Sequence, residues 1–383
     1  MSGIDFTVPE EWESLRSVVA DFCAKEIDPI WRQIEEEDQI PAEVLRRAGE
    51  VGLFGLTIPV EYGGLGLPML ARVLIYETLG RTHAGFTSII GTHCGIGTSA
   101  ITTLGSPELK ARYLPKLATG EWIGAFALTE PGAGSDAANI TTSATRTAAG
   151  WVLNGTKHFI TNSRIARLFT VFASTDRSKG PKGISAFVVE RDAVGLSISR
   201  YQETMGLRGS HVAEVVFDEC LVPDENKLGA EGTGYSTALH SLAQGRVGLA
   251  ARCVGAAERV IEMSVAFSKE RRQFGQPIAE FQLIQGYLAE MAADTAAAKA
   301  LTLYAAWLID QQKPVRREAA MAKLIATEAY GRTVDKAVQI HGGMGYCKDV
   351  EIEHFYRDAR ITRIYEGTSE IQKLIIARDL LQS

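Results

Sequence analysis

A glutamate near the C-terminus lies where acid–base chemistry is feasible. Glu366 stands in the run Tyr365-Glu-Gly-Thr-Ser-Glu-Ile-Gln372. Ser369 and Gln372 have the spacing of a capping box, which predicts a helix that begins there and runs to about Leu380. Glu366 would then precede a helix N-terminus. Judged on these residues alone, a carboxylate that only complements the helix dipole is favoured over a catalytic base.

Two segments in the middle of the chain could form a wall for a polar or flat ligand. Phe126-Ala-Leu-Thr-Glu-Pro-Gly-Ala-Gly-Ser135 ends a predicted strand with a glycine-rich turn. Its glycines match a dinucleotide-binding spacing, but residues 139–145 resemble a strand, so no phosphate-facing helix begins there. Lys157-His-Phe-Ile-Thr161 places an aromatic ring, an apolar residue and a hydroxyl beside a turn. The first segment could equally be a plain tight turn, and for the second, taken alone, ordinary strand packing is favoured.

Two further motifs could contact a cofactor's phosphates. Arg271-Arg-Gln-Phe274-Gly-Gln-Pro277, with Gln282, offers a guanidinium fork beside an aromatic ring, although exposed charged helix ends are common. Gln339-Ile-His-Gly342-Gly343-Met-Gly345 breaks a helix and could let another chain's cofactor approach its backbone. It could equally be a helix C-cap.

The composition is that of an ordinary globular protein. The 383 residues are 46% hydrophobic and 22% charged, which suits two or three domains. A formal net charge of -6, with Lys and Arg scattered among acids, argues against a nucleic-acid partner. The most apolar helical run, residues 296–309, carries Lys299 and is shorter than the roughly 20 residues of a membrane span. We therefore expect neither nucleic-acid binding nor a membrane segment.

The first residues and the cysteines bear on the cellular compartment. Residues 1–6 lack the basic start and apolar core of a signal peptide, which predicts a cytoplasmic protein. Five cysteines lie far apart without a Cys-x-x-Cys pair, which fits neither a disulfide framework nor a zinc site. We expect them to be small buried hydrophobic residues, including the Cys94 that follows His93, and we expect no metal site.

The period of the apolar residues changes twice along the chain. Up to about Leu117 they recur at helical steps, with helices predicted near 68–81 and 84–103. Short runs between turns then predict a small antiparallel β domain, before alanine-rich helical runs return with breaks at residues 275–277, 314 and 341–345. The sequence therefore predicts a mainly α protein with a middle β domain. Its parts are an N-terminal helical domain (1–121), a middle β domain (122–233) and a C-terminal helical bundle (234–383).

Taken together, these segments resemble the acyl-CoA dehydrogenase family from about Val8 to the C-terminus. The two family signatures correspond to residues 127–136 and to residues 339–358, the latter running into Ile364-Tyr-Glu-Gly-Thr368. The resemblance implies a subunit with a helical domain, a small β-barrel domain and a helical bundle. It also implies a homotetramer, a dimer of dimers, with FAD partly across a subunit boundary.

The resemblance further assigns site residues. The resemblance places five residues beside the flavin ring: Phe126, Leu128, Thr129, Phe159 and Thr161. It places seven residues beside the rest of FAD: Ser135, Gln282, Gln339, Gly342, Gly343, Thr368 and Glu370. Arg271 and Phe274 would reach across from a neighbouring subunit. Ser135, Gly245, Arg246, Tyr365 and Gly367 would contact the acyl-CoA substrate.

Glu366 occupies the position of the family's catalytic base. Members that prefer isovaleryl or long-chain substrates carry the base at the place held here by Gly245, which has no carboxylate. The arrangement is similar to that of short-chain and short branched-chain members. It implies removal of the α proton by Glu366, hydride transfer to flavin N5, and electron delivery to an electron-transfer flavoprotein, within fatty-acid β-oxidation.

Two departures from the family pattern leave alternatives open. Ala243 replaces an aspartate that usually holds the pantetheine chain, so a carrier-protein thioester competes with CoA. His354 replaces a basic residue and is expected to be structural. An oxidase or monooxygenase of the same fold, and less plausibly a non-catalytic flavin-binding protein, are the other candidates.

Overall fold

The computed structural model describes residues 7–199 and 201–382. Residues 1–6, on which the expectation about a signal peptide rests, lie outside the described residues. Helices, strands and then helices follow one another along the chain, which confirms the mainly α fold class with a middle β region. Within the described residues, none of the helices combines the length and the apolar character that a membrane crossing requires.

The first third of the chain is helical. Its helices are α1 (Glu10–Phe22), α2 (Trp31–Glu37), α3 (Ala42–Glu50), α4 (Met69–Gly80), α5 (Ala84–Thr92), α6 (Ser99–Leu104) and α7 (Pro107–Ala118). Nearly every residue of α4 is buried, since its apolar residues lie on more than one face of the helix and the buried Glu77 is paired with Lys299. The helix expected over 84–103 is divided, since a π-helical turn, His93–Gly97, separates α5 from α6.

The middle region is built on one sheet. Its strands are β1 (Ile123–Ala127), β2 (Ser143–Thr147), β3 (Gly150–Thr161), β4 (Ala166–Ser174), β5 (Ile184–Glu190), β6 (Leu196–Ile198), β7 (Val212–Val222) and β8 (Lys227–Leu228). They follow the order β6-β7-β3-β2-β4-β5-β8, with β1 paired to β4. The expectation of a purely antiparallel sheet is wrong, because β1 and β2 both run parallel to β4.

The strand expected from residue 139 begins only at Ser143. The carboxylate of Glu130 accepts hydrogen bonds from the backbone N–H groups of Thr141 and Thr142, at 2.6 and 2.9 Å. Those two N–H groups are therefore bound to a side chain and cannot join a sheet ladder.

The last third is dominated by long helices. They are α8 (Gly234–Glu270), α9 (Gln282–Asp310), α10 (Arg316–His341), α11 (Ile352–Thr362) and α12 (Ser369–Gln382), with a hairpin of β9 (Arg272–Gln273) and β10 (Gln276–Pro277). The three predicted breaks are confirmed. One hydrophobic core joins these helices to the N-terminal ones, including Val19, Tyr76, Val254 and Phe355. The helical regions thus position both sides of any site between them.

Four cysteines are buried as expected, whereas Cys347 is exposed in the loop after α10. The expectation fails for Cys347 because the preceding glycine turn leaves no helix face to bury it. Cys94 and His93 are bound to backbone groups, with His93 Nε2 3.1 Å from the Leu117 carbonyl and Cys94 Sγ donating to the Leu53 carbonyl.

Candidate active site

Glu366 lies in the loop between α11 and α12, in a left-handed backbone conformation with φ of 54°. Non-glycine residues adopt this conformation at a cost, and such strain is concentrated at functional sites. Thr368 caps α12, since its hydroxyl accepts the Ile371 N–H at 3.3 Å. The predicted capping box is therefore wrong: Ser369 is the first helical residue, and Gln372 donates to the Gly367 carbonyl at 2.8 Å.

Side chains from two long helices hold this loop by its carbonyl groups. Arg246 of α8 donates from Nε to the Glu366 carbonyl at 3.0 Å. Lys323 of α10, which is fully buried, donates from Nζ to the Gly367 carbonyl at 2.9 Å. Gly245 is in close contact too, because a Cβ built on it would lie 2.6 Å from Glu366 Oε2. The structure thus brings Gly245 and Arg246 to Glu366 and its neighbours Tyr365 and Gly367.

The carboxylate of Glu366 is nearly enclosed. Its side chain is 11% exposed, and Oε2 has no hydrogen-bond partner within the described residues. Burial raises the pKa of Glu366, while the nearby Arg252, Arg246 and Lys323 cations oppose that shift. Burial also lowers the pKa of Lys323 to about 8. A desolvated carboxylate with one free oxygen is suited to accept a proton.

The two motifs of the β region are brought together as a wall. The N–H of His158 donates to the Thr129 carbonyl at 2.8 Å, so the segment after β1 lies against the end of β3. Phe159 is 59% exposed and has a φ of 56°. Thr129 and Thr161 are half-buried beside it. An exposed aromatic ring flanked by hydroxyls is a surface for a flat, polar heterocycle.

A buried ion pair supports this wall from behind. Lys157 Nζ is 2.8 Å from Glu130 Oε1 and 3.1 Å from the Leu128 carbonyl, and both side chains are almost fully buried. The Leu128 side chain packs in the core, so it can contribute to the wall only through its backbone. In the turn that follows, added Cβ atoms at Gly132 and Gly134 would meet nothing within 4 Å, so a ligand can approach that backbone.

These features fit FAD. The exposed Phe159 ring near Thr129 and Thr161 offers a surface for a flat ring, and the open turn leaves room for polar groups of the same molecule. Phe126 is half-buried against Phe172, and its contact with the flavin ring stays a prediction. Ser135 and Glu370 are exposed and Thr368 is half-buried. Their contacts with the cofactor remain predictions.

The other predicted cofactor residues lie at the opposite end of the helical bundle. Phe267 of α8 stacks on His341 of α10 at 4.3 Å, which brings the segments after both helices together. That end carries Arg271, Phe274, Gln282, Gln339, Gly342 and Gly343. From Gly245 to Arg271, α8 advances about 39 Å at 1.5 Å per residue. A single chain therefore does not unite these residues with Glu366.

Sequence reasoning missed three cations and one acid of the site: Lys157, Arg252, Lys323 and Glu130. Lys323 carries a detectable signal, a lone lysine on a helix face of buried alanines such as Ala319 and Ala326. The sequence around Arg252 gives no comparable signal, because its proximity to Glu366 depends on how α8 packs against the loop before α12.

A second buried cluster, Glu35, His83 and His354, places three potential metal ligands within 4.8 Å of one another. Both ring nitrogens of His83 are already used: Nε2 contacts Glu35 at 3.0 Å and Nδ1 accepts the Gly85 N–H. His83 Nε2 must therefore carry the proton, which prevents it from binding a metal. Arg357 also pairs with Glu35. The cluster is a structural network between the N-terminal helices and α11.

Comparison with known proteins identifies relatives over the whole chain. Sequence models of three acyl-CoA dehydrogenase domains match: the N-terminal domain over residues 9–121, the middle domain over 125–220 and the C-terminal domain over 232–381. The acryloyl-CoA reductase (NADH) of Anaerotignum propionicum is 44% identical over 384 residues, 100% of this chain and 97% of that protein. The mitochondrial short-chain specific acyl-CoA dehydrogenase of Rattus norvegicus is 42% identical over 376 residues, 98% of this chain and 91% of that protein.

Solved structures give the same result. The butyryl-CoA dehydrogenase from Megasphaera elsdenii superposes with a TM-score of 0.96 at 36% identity, covering 99% of this chain and all of that one, 100%. The acyl-CoA dehydrogenase from Bacillus anthracis, solved in complex with FAD, has a TM-score of 0.91 at 38% identity and covers 98% of this chain and 67% of that chain.

Proposed function

This chain belongs to the acyl-CoA dehydrogenase family, an FAD-dependent family, and on that premise we propose that it desaturates a short or branched acyl-CoA with Glu366 as the base. The product is the trans-2-enoyl-CoA thioester. The observation that carries the proposal is the buried Glu366 carboxylate, with an oxygen that has no hydrogen-bond partner in the described part of the chain and lies against Gly245. Gly245, at the alternative base position, offers no proton acceptor.

The α C–H of a thioester is a very weak acid, so the base needs a raised pKa and the enolate needs stabilisation. Burial raises the pKa of Glu366, which meets the first requirement. For the second, the Glu366 backbone N–H is proposed to donate to the thioester carbonyl, and the left-handed loop is held for that task by Arg246 and Lys323. FAD, when bound, supplies the acceptor for the β hydride. The Thr161 hydroxyl would contact the flavin.

The proposed assembly is a homotetramer in which FAD is shared between subunits. Two observations support it. The residues predicted to contact FAD lie both beside Glu366, at Thr368 and Glu370, and at the far end of α8, which rises about 39 Å between Gly245 and Arg271. At the distal end Phe274 and Tyr346 are 93% and 89% exposed, which suits a surface covered by a partner. We further propose a cytoplasmic enzyme of fatty-acid β-oxidation that passes electrons to an electron-transfer flavoprotein.

Two variants of this function remain candidates. Ala243 in place of the usual aspartate leaves a carrier-protein thioester, which presents the same pantetheine arm, as the alternative to the CoA thioester. Comparing CoA-linked and carrier-linked forms of one acyl group distinguishes them. An oxidase would release hydrogen peroxide during aerobic turnover, whereas a dehydrogenase requires an added electron acceptor.

The test of the base is Glu366→Gln. The variant should remain yellow with full FAD content and bind acyl-CoA, while anaerobic flavin bleaching slows by about 10²–10⁴-fold. Glu262→Gln is the control, because Glu262 is an exposed glutamate on α8 that pairs with Arg81. A Glu366→Gln protein that bleaches at the normal rate contradicts the assignment.

A further inference from the structure

A small pocket beside Glu366 contains two arginines. It lies between α4, the π-helical turn before α6, and α8, and it is lined by Met69, Arg72, Tyr76, Gly245, Gly248 and Arg252 among others. Gly245 places the pocket directly next to the Glu366 carboxylate. An acyl chain whose α carbon meets Glu366 can extend into this space, so these side chains bear on which acyl group is accepted.

The guanidinium of Arg252 is held firmly at this pocket. Its Nη1 donates to the Thr87 carbonyl at 3.2 Å, and its Nη2 lies 3.9 Å from Glu366 Oε1. It fits only because residue 91 is glycine: a Cβ there would lie 2.6 Å from the Arg252 side chain. The side chain is 11% exposed. At 3.9 Å the contact with Glu366 is too long for a hydrogen bond, so the carboxylate does not satisfy the guanidinium.

The second guanidinium, that of Arg72, has no acidic partner among the described residues. Its Nη2 donates only to Gln244 Oε1, at 3.3 Å. Arg72 Nε, Arg252 Nε and the Tyr76 hydroxyl are all buried without a hydrogen-bond partner in the described chain. Three unsatisfied donors around one pocket are costly unless a ligand brings acceptors.

The excess of positive charge around the pocket also indicates a ligand with a negative charge. Arg252, Arg246 and Lys323 all act on the single Glu366 carboxylate, and Arg72 adds a fourth cation nearby. An alkyl chain pressed into this pocket would remove water from the guanidinium groups and return no hydrogen bond. A carboxylate would accept from both arginines and balance the excess charge.

We infer that the substrate is a short dicarboxylic acyl thioester, whose distal carboxylate is bound by Arg252 with Arg72 and Tyr76 beside it. This inference rests on the proposed function and names its substrate class. The chain must be short because Arg252 is only 3.9 Å from the Glu366 carboxylate. The distal carboxylate is unchanged by the reaction: the α proton goes to Glu366 and the β hydride to oxidised FAD.

The experiment compares glutaryl-CoA with pentanoyl-CoA, which have five acyl carbons each and differ in the terminal carboxylate. With the holoenzyme, we expect anaerobic flavin bleaching to favour glutaryl-CoA in kcat/KM by about 100-fold, the scale of one buried charge pair. Arg252→Gln should remove most of that preference, and Arg252→Lys should retain part of it. Arg259→Gln is the matched control on α8, because Arg259 is half-buried and pairs with Glu351.

The ratio between the two substrates is the decisive quantity, because an effect of Arg252 on the pKa of Glu366 acts on both thioesters and cancels. Binding gives a readout without turnover. Calorimetry on Glu366→Gln holoprotein should show tighter binding of glutaryl-CoA than of pentanoyl-CoA, and the double variant with Arg252→Gln should not. Arg72→Gln provides the same test should Arg252→Gln fail to fold.

Two outcomes overturn the inference, and a third bears on the proposed function. Equal or better bleaching with pentanoyl-CoA refutes the substrate class but leaves the proposed dehydrogenase standing. An Arg252→Gln variant that slows both thioesters equally shows that Arg252 acts on the base alone. Bleaching by no thioester refutes the proposed function, and the calorimetric comparison then decides the binding site separately.

Discussion

Replacing Gly245 by alanine should move the catalytic carboxylate without harming the fold. The added Cβ would lie 2.6 Å from Glu366 Oε2 and 3.1 Å from a methyl of Ile96. Ordinary contact begins near 3.4 Å, so the oxygen must retreat by about 0.8 Å. The loop cannot follow, because Arg246 and Lys323 hold its carbonyls. The carboxylate alone must turn away from the α carbon.

The cost of that movement can be worked out. A misplacement of about 1 Å at a reacting group can lower a rate about 100-fold. Alanine in place of glycine inside α8 should add up to about 1 kcal/mol to the free energy of unfolding, offset by the Ile96 contact. We therefore expect Gly245→Ala to keep its FAD and its melting temperature while losing turnover about 100-fold.

The assay is single-turnover bleaching under anaerobic conditions, with thermal unfolding measured on the same samples. Gly286→Ala is the control, since a Cβ at Gly286, within α9, would meet nothing within 4 Å. It should gain stability and keep full activity. A Gly245→Ala enzyme within about twofold of the wild-type rate would refute the argument that this contact fixes the base.

Three further outcomes follow from the site. Because burial raises the pKa of Glu366 and the base must be ionised, kcat/KM should fall as pH drops through a value above that of an ordinary glutamate, measured as a pH–rate profile. Lys323→Met removes a cation that lowers the same pKa, so this acid limb should move to higher pH. An unshifted profile would contradict that coupling. Lys157→Met leaves Glu130 charged and buried without its cation, and urea unfolding should show a loss of about 3–5 kcal/mol.

Much of the fold is readable from the sequence because it depends on local patterns. The apolar period predicts α4, and glycine and proline positions predict the ends of α8, α9 and α10. The parallel pairing of β1 with β4 was not predictable, since strand direction depends on a connection through other strands. The cap of α12 was misplaced by one residue because Thr368 and Ser369 are both good caps.

The candidate site likewise has a part that the sequence predicts and a part that it does not. Glu366 follows from its motif and its resemblance to a family, whereas its surroundings depend on contacts distant in sequence. Arg252 reaches the pocket only because Gly91 of α5 leaves room for it. Lys323 reaches Gly367 across 44 residues of chain. The spacing of residues in the sequence does not predict such contacts, because they depend on how distant segments pack.

The length of α8 implies that a mutation in one subunit can impair the active site of a neighbouring subunit and leave its own active site intact. Under the proposed assembly, Glu366 acts in the active site of its own subunit. Arg271, which lies about 39 Å along α8 from Gly245, contributes to the site of a neighbouring subunit. A hybrid of Glu366→Gln and Arg271→Ala subunits would place both lesions in one site and leave the adjacent site intact. Two defective proteins, unfolded together and reassembled, would then restore each other's activity, which no mixture of independent monomers can do.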